Sequence, residues 1–201
     1  MKNVLAFCGA FNPPTRAHIG LADFAFRAAG RDGVIFVPSR TDYIRNDQQK
    51  DGVFSGGIRL AMLRKLAETR PWMKVTDREL REPAQPRTYV TLCSLRADGY
   101  APSLLLGSDK LPELSGWKYM PELILEFGIV CLARGGDSCR AIIEADPFLK
   151  HLEDHFTLLD TPDDWKDISS SKVREALKNG QQEELRRMVP DEILGMLQCG
   201  S

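Results

Sequence analysis

Short apolar runs alternate with amphipathic stretches along the whole chain. Val4 to Phe7 is the first run and stops at Gly9, which predicts a strand entering a turn. From Ile19 to Ala29 apolar residues recur at helical spacing (Leu21, Phe24, Ala25, Ala28), and Gly30 follows where a C′ glycine belongs. Val34 to Val37, closed by Pro38, predicts a second strand, and Met73 to Thr76 a third. Between them Ser55 is placed to cap a helix carrying Leu60, Leu63, Leu66 and Ala67 on one face. Thr88 to Ala97 reads as a helix with Leu92 and Leu95 inward. Leu104 to Leu106, Ile129 to Ala133 and Phe156 to Leu159 are further strands, and helices are expected over 138–146, 170–179 and 190–198.

Strands separated by helical patterns imply right-handed βαβ units and an α/β fold with a parallel sheet covered on both faces. The near-continuous apolar strands agree with that burial. In such sheets ligands bind beyond the carboxyl ends of the strands, where strand order reverses, so chemistry is sought just after each strand. Residues 40–57 form the longest polar, glycine-bearing stretch and read as a mobile, functional loop. The chain has no internal repeat or low-complexity linker, so 201 residues read as a single domain, with a small C-terminal helical part over about 168–201.

Composition narrows the function. At 43% hydrophobic and 27% charged residues the chain is ordinary for a globular protein, which excludes disordered and fibrous classes. A formal charge of −1 argues against a dedicated nucleic-acid binder while allowing a locally basic pocket for a small anion. The five cysteines (Cys8, Cys93, Cys131, Cys139, Cys199) are odd in number and lack the close spacing of a zinc cluster. Three lie in apolar runs and read as small core residues. The N-terminal apolar stretch is too short for a signal peptide, and no run approaches the ~20 residues that span a membrane, so no membrane role and a cytoplasmic setting are expected. Nothing in the chain specifies an oligomeric state.

Three clusters carry candidate chemistry. The first strand runs into Cys8-Gly-Ala-Phe-Asn-Pro-Pro-Thr-Arg-Ala-His18, with a helix opening near Thr15. Gly9 lets the backbone approach a ligand, and a helix start offers N–H groups to phosphate. Thr15 and His18, three apart, share one face of the first turn. A helix cap plus an ordinary surface histidine explains the same two residues equally well. The second cluster is Asp167-Ile-Ser-Ser-Ser-Lys-Val-Arg174. Ser169 and Ser170 precede a helix, and Arg174 lies one turn in, where its fork can grip phosphate. Alone, a well-capped helix with a solvated Lys172 and Arg174 is the simpler reading. The third is Leu104-Leu-Leu-Gly-Ser-Asp-Lys-Leu111, in which Gly107 and Asp109 could hold ribose hydroxyls, or Asp109 could simply cap a turn.

Taken in order, these segments resemble the nicotinate and nicotinamide mononucleotide adenylyltransferases of the nucleotidyltransferase superfamily. Gly9 to His18 looks like the superfamily's (His/Thr)-x-Gly-His segment. Leu104 to Leu111 resembles the family's second ATP segment, and Ile168 to Arg174 its Ile-Ser-Ser-Thr-x-x-Arg signature. Val37-Pro-Ser39, Arg59-Leu-Ala-Met-Leu63 and Thr88-Tyr-Val-Thr-Leu92 fall in the family's order, as do Trp117 and Arg134. The resemblance runs from about residue 4 to about residue 195.

It implies a Rossmann-like, doubly wound parallel sheet that binds ATP, with Mg²⁺ on its phosphates, and a pyridine mononucleotide whose 5′-phosphate attacks the α-phosphate. His18, Thr15 and Arg174 are then catalytic. The Gly9, Ala10 and Phe11 backbone, Gly107, Asp109, Ser169 and Ser170 bind ATP. Arg45, Thr88, Trp117 and Arg134 serve the acceptor, with Trp117 stacking on the pyridine ring or remaining an ordinary aromatic. No protein nucleophile and no resident metal site are expected.

Several positions depart from the family's pattern. Ala17 replaces a glycine, Thr15 a histidine, and Asn12 an aspartate. The Tyr-Thr-x-Asp-Thr-Leu element reads Arg87-Thr-Tyr-Val-Thr-Leu92, losing the aspartate and gaining a cation. The usual Pro-His-Lys is absent, with Arg45 or Lys50 as substitutes. Arg87 favours an acidic acceptor. A different phosphorylated acceptor, such as phosphopantetheine or an alcohol phosphate, and an ATP-binding module without turnover are the competing readings.

Overall fold

The computed structural model describes residues 1–49, 52–133 and 136–200, the side chains of 47, 199 and 200 excepted. Six strands form one sheet: β1 Lys2–Gly9, β2 Gly33–Pro38, β3 Met73–Val75, β4 Tyr100–Gly107, β5 Ile129–Leu132 and β6 Phe156–Leu159. Their order is β3-β2-β1-β4-β5-β6. The chain winds outward from β1 to β3, returns to the middle, and winds the other way from β4 to β6: the doubly wound arrangement. β1 lies parallel to β4 with Leu5 opposite Ser103, β4 parallel to β5 with Leu106 opposite Cys131, and β5 parallel to β6.

The helices follow as α1 Arg16–Ala28, α2 Gly56–Ala67, α3 Arg78–Arg81, α4 Thr88–Ala97, α5 Leu111–Leu114, α6 Glu122–Phe127, α7 Cys139–Ala145, α8 Pro147–His151, α9 Ser170–Lys178, α10 Gln182–Met188 and α11 Asp191–Leu194. α1 ends at Gly30, whose φ of +61° suits glycine, while Gly30 N–H bonds to Arg27 C=O and Arg31 N–H to Phe26 C=O. Ser55 caps α2, its Oγ accepting from Ile58 N–H at 3.3 Å.

Two compact units divide the chain. The first comprises Met1–Cys8, Leu21–Val34 and Arg87–Asp163. Its core is built on Leu5, Ala6, Leu104 to Leu106 and Ile129 to Leu132, closed by Leu92, Leu95, Leu123 and Ile124. β6, at the end of the sheet, is only half-buried. The second comprises Gly9–Gly20, Ile35–Pro86 and Asp164–Ser201. Phe36, Val37, Met62, Leu63, Leu66, Val173, Leu185 and Ile193 form its core. There the C-terminal helices are tied down by Arg16 to Asp191 (3.0 Å) and Arg70 to Glu192 (2.9 Å).

Three expectations change. The inward stripe of α2 is Arg59, Met62, Leu63 and Leu66, while Leu60 and Ala67 are half-buried. That i, i+3, i+4, i+7 stripe wraps the core more squarely than one starting at Leu60, and puts a cation inside. Residues 190–198 make a short α11 and then a 3₁₀ stretch from Gly195, where glycine weakens the helix. The polar stretch 40–57 holds a helical turn over Tyr43–Asp47, pinned by buried Ile44, and Phe54 is buried as well. Of the described cysteines, Cys131 and Cys139 are buried with Sγ atoms 3.4 Å apart, while Cys8 and Cys93 are half-buried thiols.

Candidate active site

In the second unit the turn after β1 doubles back on itself. A Cβ on Gly9 would lie 3.3 Å from the Phe11 ring, so glycine permits the approach. Phe11 is buried at φ +45°, its ring packed at 5.3 Å from that of Phe36 and edge-on at 5.2 Å from that of His18. Asn12 is buried and works as a clamp. Its Oδ1 accepts from Phe54 N–H at 2.9 Å and its Nδ2 reaches Gly52 C=O at 3.5 Å.

Thr15 and His18 interlock at the start of α1. Thr15 Oγ1 accepts from His18 N–H at 3.3 Å, and His18 Nδ1 accepts from Thr15 N–H at 3.0 Å. This is a capping box with imidazole in place of the usual carboxylate. A backbone N–H can only donate, so Nδ1 is the acceptor and neutral His18 carries its proton on Nε2. Thr15 is fully buried behind the half-buried His18 and orients it.

Helix α9 is brought to the same turn. Ser169 caps it by accepting from Lys172 N–H at 3.3 Å. Ser170 Oγ donates to Pro13 C=O at 2.8 Å, and Arg174 Nη1 to Asn12 C=O at 2.9 Å. Arg174 Nη2 bonds Ser171 Oγ at 3.2 Å, and its Cδ would stand 3.4 Å from a Cβ on Gly52. Two segments far apart in sequence are thus tied together at one corner by side-chain to backbone hydrogen bonds. Arg16 is occupied by Asp191 and Arg186 C=O, and Lys172 by Asp167. Arg45 is exposed, 3.5 Å from Val53 C=O. Lys50 lies outside the described residues.

In the first unit, β4 ends at Gly107 and a 3₁₀ turn spans Ser108–Lys110. Asp109 is exposed, and its Oδ1 sits 2.5 Å from where a Gly107 Cβ would be. Glycine is therefore what lets that carboxylate fold over the strand end. Ser108 is buried and donates to Asp137 Oδ2 at 2.8 Å, which anchors the turn. Trp117 is half-buried just beyond α5. Thr88 opens α4, and Arg87 before it is exposed. Arg134 lies outside the described residues.

Sequence reasoning missed the clamp made by Asn12, the Asp137 anchor and the burial of Arg59. Only Arg59 left a signal: a charged residue in helical register with Met62, Leu63 and Leu66.

A profile of the cytidylyltransferase-like family matches residues 6–176. A protein of Dehalococcoides mccartyi described as a probable nicotinate-nucleotide adenylyltransferase is 31% identical over 176 residues, covering 86% of this chain and 84% of its own. A nicotinamide/nicotinic acid mononucleotide adenylyltransferase of Oryza sativa is 27% identical, covering 87% and 76%. The fold is that of the Plasmodium falciparum nicotinic acid mononucleotide adenylyltransferase complexed with NaAD, at a TM-score of 0.78 and 21% identity over 99% of this chain and 96% of that one. The class is thus a nucleotidyltransferase. The chain belongs to the cytidylyltransferase-like family, among the nicotinate-nucleotide adenylyltransferases.

Proposed function

We infer that the protein transfers the adenylyl group of ATP to the 5′-phosphate of nicotinate mononucleotide, or its amide, in NAD biosynthesis. A phosphate oxygen of the acceptor bonds to the α-phosphorus as the bond to the β-phosphate oxygen breaks, giving the dinucleotide and pyrophosphate. The acceptor brings its own nucleophile, so the protein's work is alignment and charge neutralisation. The observation that supports this most is the joining of two signatures by Ser170 to Pro13 and Arg174 to Asn12.

In this reading His18 Nε2–H and the Arg174 fork meet the charge that develops on the transferring phosphate. Thr15 holds His18, and the Gly9–Phe11 backbone and the α9 N-terminus with Ser169 and Ser170 bind the nucleotide. Gly107 and Asp109 receive the ribose. Thr88, Trp117, Arg45 and Arg134 serve the acceptor, with Trp117 against the pyridine ring. Mg²⁺ enters on the phosphates of ATP, which supply the hard oxygen ligands it prefers. Residues 1–201 serve as a single nucleotidyltransferase domain. The free thiols fit a cytoplasmic setting, and no helix among the described residues is long and apolar enough to cross a membrane.

The test is pyrophosphate release from Mg²⁺–ATP with nicotinate and nicotinamide mononucleotides as parallel acceptors, wild type beside His18→Ala. Release with one acceptor, lowered about 10²–10³-fold in the variant, is expected for a donor to developing charge. Binding of ATP without release on either acceptor would overturn the reading in favour of another acceptor or a module without turnover.

A further inference from the structure

Arg59 is completely buried. Its guanidinium holds three backbone carbonyls: Ala10 at 2.6 Å through Nη1, Ser39 at 2.6 Å through Nη2 and Phe54 at 3.1 Å through Nε. Nη2 also reaches Thr41 Oγ1 at 3.3 Å. Among the described residues no carboxylate pairs with it, and burial, unopposed by any anion, lowers its pKa to about 10. A guanidinium taken out of water without an anion is expensive to keep, and carbonyl dipoles answer only part of that cost. A purely structural tie between loops could be made by a neutral donor.

The groups it holds point to more than a tie. The peptide joining Ala10 to Phe11 is trans, so its N–H is opposed to its C=O. Drawing the Ala10 carbonyl to Arg59 therefore aims the Phe11 N–H to the side of the peptide opposite Arg59. Phe54 is the residue whose own N–H is held by Asn12, and Asn12 carries the bond to Arg174. One buried cation thus sets the geometry of the glycine turn and backs it with positive charge.

We propose that Arg59 is a positioning residue for the transferred nucleotide: it orients the Ala10–Phe11 peptide towards the phosphates of ATP, and those phosphates supply the anion its buried charge lacks. This rests on the adenylyl-transfer reading. The expected consequence is a protein whose stabilisation by nucleotide depends on Arg59 beyond any effect on the empty fold.

The experiment compares wild type with Arg59→Met, Arg59→Lys and Leu63→Val, the last loosening the same helix stripe without touching a charge. Binding of a non-hydrolysable ATP analogue is measured by calorimetry without acceptor, and melting temperature with and without the analogue. Arg59→Met is expected to weaken binding at least tenfold and to shrink the ligand-induced rise in melting temperature. Arg59→Lys is expected to recover part of both, and Leu63→Val to match wild type in affinity. Affinity of Arg59→Met within twofold of wild type, or an equal loss in Leu63→Val, overturns the proposal. Equal losses in the Lys and Met variants overturn its electrostatic half. If Arg59→Met does not fold, Arg59→Gln, which keeps a donor but not the charge, takes its place, and affinity within twofold of wild type overturns the proposal. Because no acceptor is present, wild type that binds the analogue yet releases no pyrophosphate refutes the reaction and leaves the Arg59 comparison standing; wild type that fails to bind it refutes both.

Discussion

His18 and Thr15 restrain each other through two backbone bonds, so the imidazole is held with Nδ1 as acceptor at the start of α1. Spacing in the sequence put the two on one face; it could not show that threonine would be fully buried, because that depends on the strands and helices packed over it. The acceptor preference expected of Arg87 belongs to this scale. Exposed Arg87 stands before α4 without a capping bond. Arg87→Ala is expected to raise KM for nicotinate mononucleotide by up to about fivefold, the scale of an exposed ion pair, with KM for ATP unchanged. Steady-state kinetics with each substrate varied in turn checks this, and equal shifts would remove Arg87 from the acceptor side. A second local network is Tyr89, whose hydroxyl donates to Glu126 at 2.7 Å while Arg96 bonds the same carboxylate at 2.8 Å. Glu126 holds Tyr89's proton, pushing the phenol up to about 12, and the hydrogen bond from Tyr89 and that from Arg96 draw Glu126 down. Stability from Tyr89 is therefore complete below pH 10 and fades as pH rises towards 12. Stability from Glu126 is complete above its ordinary pKa and fades as pH falls through the lowered one. Ultraviolet titration should find one of the four tyrosines ionising late, and Glu126→Gln should remove the lag.

Elements were read with uneven success, for physical reasons. The helix over Thr88–Ala97 and the strand over Phe156–Leu159 fall where the pattern puts them, and Ser55 and Gly30 cap as their chemistry predicts. The helices over Arg78–Arg81, Glu122–Phe127 and Gln182–Met188 went unread, since one or two turns carry too few apolar positions for a period to show. The face of α2 was misassigned because an arginine on a core stripe defeats a rule that sorts by polarity. Contacts between elements leave a testable mark at Gly20. A Cβ there would meet Trp165 Cε2 at 2.4 Å, and Trp165 C=O accepts from Ile168 N–H just before the Ser169 cap. Gly20→Ala should therefore push the indole aside and disturb α9. Overpacking of about 1–3 kcal/mol is partly offset by alanine's helix preference of about 1 kcal/mol. Melting should show a small net loss and kinetics a larger one; a stabilised, fully active variant would show that Trp165 moves freely.

On the scale of the molecule, the alternation of strands and helices was enough to predict a parallel sheet, and six short resemblances in order were enough to predict the family. What no local pattern could supply was partnership across the chain. Ser170 and Arg174 bond to residues 157 and 162 positions away, and nothing in either segment names the other. The order in which the chain is made gives that separation a meaning of its own. The turn after β1 leaves the ribosome first, and the helix that pins it follows after more than 150 residues. At about 5–20 residues per second the turn waits roughly eight to thirty seconds for its partner. Throughout that interval a nascent chain carries the turn and His18 without the Arg174 bond that ties Asn12 to α9, so the corner these residues build is closed only once α9 has been made.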